Sequence, residues 1–291
     1  MASLKEVKSR ITSVMSTQQI TKAMKMVAAA KLRRSQEKIM QMRPFAKKFS
    51  SLLQNLSASG NEGQNWYNVA REEKKILIVA ISSDRGLCGS FNSTVIKSIV
   101  KLTHEKYQTQ FNQGQVTILP IGKKAFEFFG KRSYKIHGEY STLMSALSFE
   151  KASEAADYLI NSFKKGEYDK IEIVYNEFKN VATQILRNEE FLPVISPNTE
   201  KAVDTEYIYQ PDREEIITGL IPRSLKVQLF KALLDSNAAE NGARMTAMDK
   251  ATENAGEMLK ELKLTYNRTR QAAITKEILE IVAGAEALKS A

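Results

Sequence analysis

Residues 4–43 read LKEVKSRITSVMSTQQITKAMKMVAAAKLRRSQEKIMQMR, with no glycine and no proline. Apolar side chains recur at Leu4, Val7, Ile11 and Val14, then at Ile20, Met24 and Val27. Steps of three and four place them on one helical face. The gap over Ser16 to Gln19 reads as a stutter in a coiled-coil register. At 1.5 Å per residue the helix reaches roughly 65 Å. Pro44 is expected to kink or interrupt it. Phe45, Phe49, Leu52, Leu53 and Leu56 then resume the spacing, until SASGNEGQ (57–64) ends it as a loop.

The other end of the chain mirrors this. No proline follows Pro222. Leu225, Leu229 and Leu233 start a stripe that passes through Met245, Met248, Leu259, Leu262 and Tyr266 to Ile274, Ile278, Ile281 and Val282. As one helix this is on the order of 100 Å long. Gly242, Gly256 and Gly284 lower its intrinsic stability and permit close approach of a partner helix. A lone helix of this kind exposes its stripe to water. Two in one chain can bury their stripes on each other, antiparallel if the segment between them returns the chain.

That segment alternates strands and helices. KILIVAIS (75–82) and QVTILPI (115–121) read as buried strands. KIEIVYNEF (170–178) reads as a third, and 183–194 as a fourth. Helices are expected near 93–107, 123–130 and 149–165, which argues for a mainly parallel, Rossmann-like α/β domain. The expected division is an N-terminal coiled-coil helix over 1–58, an α/β domain over 70–208 and a C-terminal coiled-coil helix over 209–291.

Of 291 residues, 43% are hydrophobic and 26% charged, which suits a protein with a sizeable core. No apolar run approaches the roughly 18 residues of a membrane span. The single cysteine, Cys88, leaves no internal disulfide framework. The net charge of +10 has one location: residues 1–50 hold twelve Lys or Arg against Glu6 and Glu37. An excess confined to one helix implies an anionic partner, whether nucleic acid, a lipid surface or an acidic protein collar.

Catalytic chemistry finds little support. SSDRGLCGSFN (82–92) sits between a strand and a helix, as nucleotide-binding loops do, but lacks the lysine of a P-loop and the spacing of a dinucleotide fingerprint. Cys88 has neither His104 nor His137 beside it in sequence, and two histidines with one cysteine make a poor zinc set. Glu189–Glu190 and Glu214–Glu215 read as solvated faces. The methionines Met15, Met24, Met26, Met40, Met42, Met245, Met248 and Met258 read mainly as seam packing, with Met24 and Met26 equally open to a binding role.

Two longer stretches carry a resemblance. ITSVMSTQQITKAMKMVAAAKLRRS (11–35) and YNRTRQAAITKEILEIVAGAEAL (266–288) resemble signature segments of the γ subunit family of F-type ATP synthases. The internal SDRGLCGSFN and ENGARMTAMDKATENA (240–255) are similar to that family as well. The resemblance implies a bent, non-catalytic shaft, without cofactor or metal, inside a ring of three α and three β subunits, turning with a ring of c subunits. It implies that Met24, Lys25, Arg244 and Gln271 contact the β subunits, with Thr275 and Glu277 in the same C-terminal run. It further places the apolar tip from Ile278 to Leu288 in a sleeve, and Tyr207 and Tyr209 at a foot that meets the c-ring and the ε subunit. Gln19 stands where that family often has lysine. The start at Met1 suggests the bacterial type, peripheral to the cytoplasmic face of the inner membrane. The reading from another class is a nucleic-acid-associated protein that sets its basic helix on phosphates.

Overall fold

The computed structural model describes residues 3–58, 66–67, 71–194 and 213–289. Two very long helices, α1 (Leu4–Ala58) and α6 (Arg213–Lys289), bracket an α/β segment. Both run through an internal proline, Pro44 in α1 and Pro222 in α6. The expected interruption at Pro44 therefore does not occur, and α6 runs from Arg213 straight through Pro222. A proline deletes one backbone donor from the helical ladder, but the flanking turns remain helical. Of the expected loop over 57–64, Ser57 and Ala58 belong to α1 and the rest lies outside the described residues.

Between the helices the order is β1 (Ile76–Ile81), α2 (Phe91–Glu105), α3 (Gln108–Asn112), β2 (Val116–Ile121), α4 (Lys123–Gly130), β3 (Lys135–Ile136), α5 (Phe149–Lys164), β4 (Lys170–Phe178) and β5 (Gln184–Leu192). The sheet order is β3-β2-β1-β4-β5, with every pair parallel except β4–β5. The chain divides into two compact units. One comprises 1–27 and 245–291, the other 28–244.

The core of the 28–244 unit follows from the strand period of two. On β1, Ile76, Ile78 and Ala80 join a cluster with Val95, Ile99, Ala125 and Phe129, so α2 and α4 cover that face. Leu77, Val79 and Ile81 join the opposite cluster with Ala156, Leu159 and Phe163 of α5 and Leu225, Leu229 and Leu233 of α6. A strand covered on both faces favours apolar residues throughout, and ILIVAI is completely buried.

Two buried carboxylates stand in this unit, and their surroundings differ. Glu172, on β4, is fully buried. Lys106 Nζ donates to its Oε1 at 2.6 Å, the Tyr107 hydroxyl donates to the same oxygen, and Asn188 Nδ2 donates to Oε2 at 3.0 Å. Burial pushes its carboxyl up, but these hydrogen bonds together outweigh burial and hold it below the usual glutamate range. Asp235, on α6, is equally buried and receives Arg43 Nη2 at 2.9 Å, while its Oδ2 has no partner among the described atoms. Here burial prevails over the Arg43 guanidinium and the carboxyl is raised. Lys170 is held by Glu73 and Glu190, so Glu190 pairs with a buried cation, and Glu189 accepts from Tyr175 at 2.7 Å. Glu190 is exposed, as expected, while also pairing with Lys170, and Glu189 is half-buried; the side chains of Glu214 and Glu215 lie outside the described residues.

Opposite pH dependences follow from linkage. A lowered carboxyl stabilises the fold above its unfolded pKa and loses that contribution as pH falls through the folded value. A raised one contributes most below its unfolded pKa and loses that contribution as pH rises through the folded value. Glu172→Gln is expected to cost about 2–3 kcal/mol near neutrality, with the deficit narrowing on acidification. Asp235→Asn is expected to gain on the parent as pH rises from about 4 to 7. Urea unfolding of the three proteins checks both signs, between about pH 4 and 7 for Asp235→Asn and below about pH 4 for Glu172→Gln.

Candidate partner interface

In the unit formed by 1–27 and 245–291, α1 turns one row inward: Leu4, Val7, Ile11, Val14, Gln18, Thr21 and Lys25 are each buried or half-buried. The steps are three and four without a break, so the expected stutter is absent. Polar residues continue the seam instead. Gln18 Nε2 donates to the Thr252 carbonyl at 3.4 Å, the hydroxyls of Thr21 and Thr252 meet at 2.8 Å, and Lys25 pairs with Asp249. Gly256 stands where an added Cβ would lie 3.0 Å from Gln18 Nε2. As the α1 partner advances from 18 to 25, the α6 partner recedes from 256 to 249, so the helices are antiparallel. The register that brings Thr21 to Thr252 sets the start of α1 beside residues near 270.

Two consequences follow for the surface. Ile20 and Val27, expected inside, are 59% and 57% exposed, because the row that carries Gln18, Thr21 and Lys25 has taken the seam. Met15, Met26 and Met258 also face solvent, Met24 is half-buried and Met248 lies in the seam. The methionines therefore divide between packing and surface. Beyond the start of α1, no helix among the described residues pairs with α6: Ala273 is its last half-buried residue, and 274–286 are all exposed. Ile274, Ile278, Leu279, Ile281 and Val282 thus form an uncovered apolar stripe, with exposures of 49–71%.

In the 28–244 unit, Arg244 is largely committed. Nη1 donates to Glu240 Oε1 at 2.7 Å, and Nη2 donates to the carbonyls of Arg85 and Gly86 at 3.1 and 3.4 Å. Burial pushes the Glu240 carboxyl up, against the pull of Arg244. The loop that Arg244 pins is also tied internally. Ser83 N donates to Asn92 Oδ1, and Asn92 Nδ2 donates to Cys88 Sγ at 3.3 Å. The Cys88 thiol is buried, and burial pushes it up, away from nucleophilic chemistry. At the loop's tip Leu87 adopts a left-handed φ of 63° and is 64% exposed. Only glycine takes that conformation freely, so a large apolar residue held there and shown to solvent is a candidate contact that periodicity alone could not identify.

The other expected contact residues lie as follows. Lys25 is half-buried against Asp249. Gln271, Thr275 and Glu277 are exposed on the uncovered end of α6, where Thr275 Oγ1 donates to the Gln271 carbonyl at 3.0 Å. Tyr207 and Tyr209 lie outside the described residues. Among the described residues no group of His, Cys, Asp and Glu could hold a metal ion, and no helix is long and apolar enough to cross a membrane.

A family model described as ATP synthase matches residues 3–288. The chain is 56% identical to the ATP synthase gamma chain of Cytophaga hutchinsonii, with all of both chains covered. It is 54% identical to that of Flavobacterium johnsoniae, over 99% of each. In the solved Tetrahymena thermophila mitochondrial ATP synthase central stalk and c-ring, a chain 27% identical superposes with a TM-score of 0.56, covering 80% of this chain and 99% of that one. A chain of the Euglena gracilis mitochondrial ATP synthase, 20% identical, shares the fold at a TM-score of 0.68, over 98% of this chain and 94% of that one.

Removing the Arg244 guanidinium strands the Glu240 carboxylate. Arg244→Ala is expected to cost about 3 kcal/mol, read from the urea midpoint, and Arg244→Ala with Glu240→Gln is expected to recover a large part of it. Equal losses in the single and double variants would show that the ion pair is not what holds the loop to α6.

Proposed function

The chain belongs to the ATP synthase gamma chain family, and from that premise we propose that it is the central rotor shaft of an F-type ATP synthase, itself performing no chemistry. The observation that carries this reading is the uncovered end of α6. A helix with five large apolar side chains in water past the end of its own partner is built to be surrounded by other subunits. The α and β subunits of the catalytic ring supply that surrounding, and Tyr207 and Tyr209 are the proposed contacts for the c-ring and ε subunit.

In this reading Met24, Lys25, Gln271, Thr275 and Glu277 meet the β subunits directly. Arg244 contributes through the loop it pins, because three of its five donors engage Glu240 and backbone carbonyls. Coupling requires that the shaft contact the subunits around it unequally: a rotor with equal affinity for every catalytic state would shift none of them. The basic excess of α1 provides one such asymmetry against acidic loops of β. The complex sets the chain at the cytoplasmic face of a bacterial inner membrane, held there by its partners. The relatives lend nothing to the nucleic-acid alternative.

Reconstitution tests the proposal. The purified chain alone is expected to hydrolyse no ATP, and its addition to α and β subunits is expected to assemble a ring with at least about tenfold more ATPase activity than those subunits show without it. Turnover by the chain itself, or failure to assemble and accelerate the ring, would overturn the assignment.

A further inference from the structure

On the face of the sheet covered by α2 and α4, a trough of about 870 Å³ runs between the two helices. Ser93, Ile96, Lys97, Val100, Lys101, His104 and Glu105 line it from α2, a spacing of three and four that follows one side of that helix. Lys124, Glu127 and Phe128 line it from α4, with Lys131 and Arg132 just beyond the end of that helix. From Ser93 to Glu105 the trough extends about 18 Å at helical rise. Its floor is apolar, formed by Ile96, Val100 and Phe128, and five cations stand on its rim against Glu105 and Glu127.

The rim charge is only partly neutralised from within. Lys124 pairs with Glu127 at 2.6 Å and Lys101 with Glu105 at 3.8 Å, each pair along its own helix. Arg132 lies over the Phe128 ring, 3.5 Å from its centroid, and donates to the Phe128 carbonyl. Lys97 and Lys131, one on each wall, have no ion-pair partner among the described residues.

We propose that this trough docks an acidic amphipathic helix of a partner protein. The form selects a helix. A straight groove between two neighbouring helices accepts a third as ridges accept grooves, its apolar i, i+3, i+4, i+7 row on Ile96, Val100 and Phe128. The charge selects an acidic one, since Glu or Asp flanking that row meets Lys97 on one side and Lys131 on the other. A bilayer is flat and cannot reach an apolar floor recessed below its lysines. A phosphate backbone would leave the floor bare. A second copy of this chain would bring the same net-basic rim. About three turns of helix bury little area, so the interaction is a weak, salt-sensitive one.

The test uses the full-length chain and a stapled fourteen-residue peptide, with leucines in a single helical row and glutamates elsewhere, followed by fluorescence anisotropy. Binding is expected at about 1–100 μM in low salt. It should weaken at least about tenfold with Lys97→Glu plus Lys131→Glu, and likewise with Val100→Asn, while both variants keep the parent's melting temperature. An isomeric peptide with its leucines scattered should bind at least about tenfold more weakly. Equal binding of the two peptides would reduce the effect to bulk charge and overturn the proposal, as would variants that bind like the parent. Binding of anionic phosphatidylglycerol vesicles that depends on Lys97 and Lys131, without peptide binding, would overturn it in favour of a lipid surface. Dimerisation in sedimentation that Val100→Asn abolishes would overturn it in favour of self-association. None of these outcomes depends on the rotor assignment.

Discussion

A helix with an apolar row along its whole length cannot be stable alone in water, and in this chain the two helices that need covering lie at opposite ends of the sequence. Their pairing is the constraint to which the other features answer. It fixes where the chain must return, so the segment between the helices has to bring α6 back alongside α1. In the unit made of the two termini, it also decides which side chains are left for partners. The seam there is not uniformly apolar. Thr21 against Thr252 and Lys25 against Asp249 sacrifice some burial energy and gain a definite register, since a slip of one turn would separate these polar partners. Register has a mechanical meaning for a shaft, because it determines which residues of α6 project past the start of α1.

The α/β unit solves a different problem with buried charge. Glu172 is surrounded by three donors and Asp235 by one arginine with a carboxylate oxygen left over, so the same type of group is held down in one place and pushed up in the other. The first arrangement is satisfied and specifies how α2 and α3 meet β4. The second is a local cost, on the stretch of α6 where nearly every residue is buried. Gly242 belongs to that stretch: an added Cβ would lie 3.3 Å from Phe178 Cε2, so a larger residue there would press on the ring at the end of β4.

Much of this was legible in the residues. β1 and β2 are largely apolar runs bounded by turns, β4 mixes apolar residues with Lys170, Glu172 and Asn176, and both faces of the sheet are covered. The long helices announced themselves by spacing. What misled was the assumption that apolar means inward. Ile20 and Val27 are apolar and exposed, while Gln18 and Thr21 are polar and in the seam, because the partner helix, not the side chain, chooses the row. The two-residue β3 and the five-residue α3 are too short for periodicity to reveal. The partners of Glu189 and Glu190 were hidden because nothing in sequence links the pair to Tyr175 and Lys170, which only the sheet register brings alongside. Leu87 carries no pattern at all; its backbone conformation is what marks it.

The two uncovered apolar surfaces differ in a way that bears on what can occupy them. The stripe on α6 is convex and its neighbours along 274–286 carry charges of both signs, so it suits an enclosing sleeve that tolerates rotation about the helix axis. The trough on α2 and α4 is concave and rimmed by cations, which fixes orientation as well as position. A shaft that turns within its surroundings needs the first kind of surface where motion is relative, and the second kind where a partner must turn with it. By that criterion the proposed occupant of the α2–α4 trough would travel with the chain, because a helix seated between two others and clamped by charge on both sides could not slip without leaving its apolar row in water.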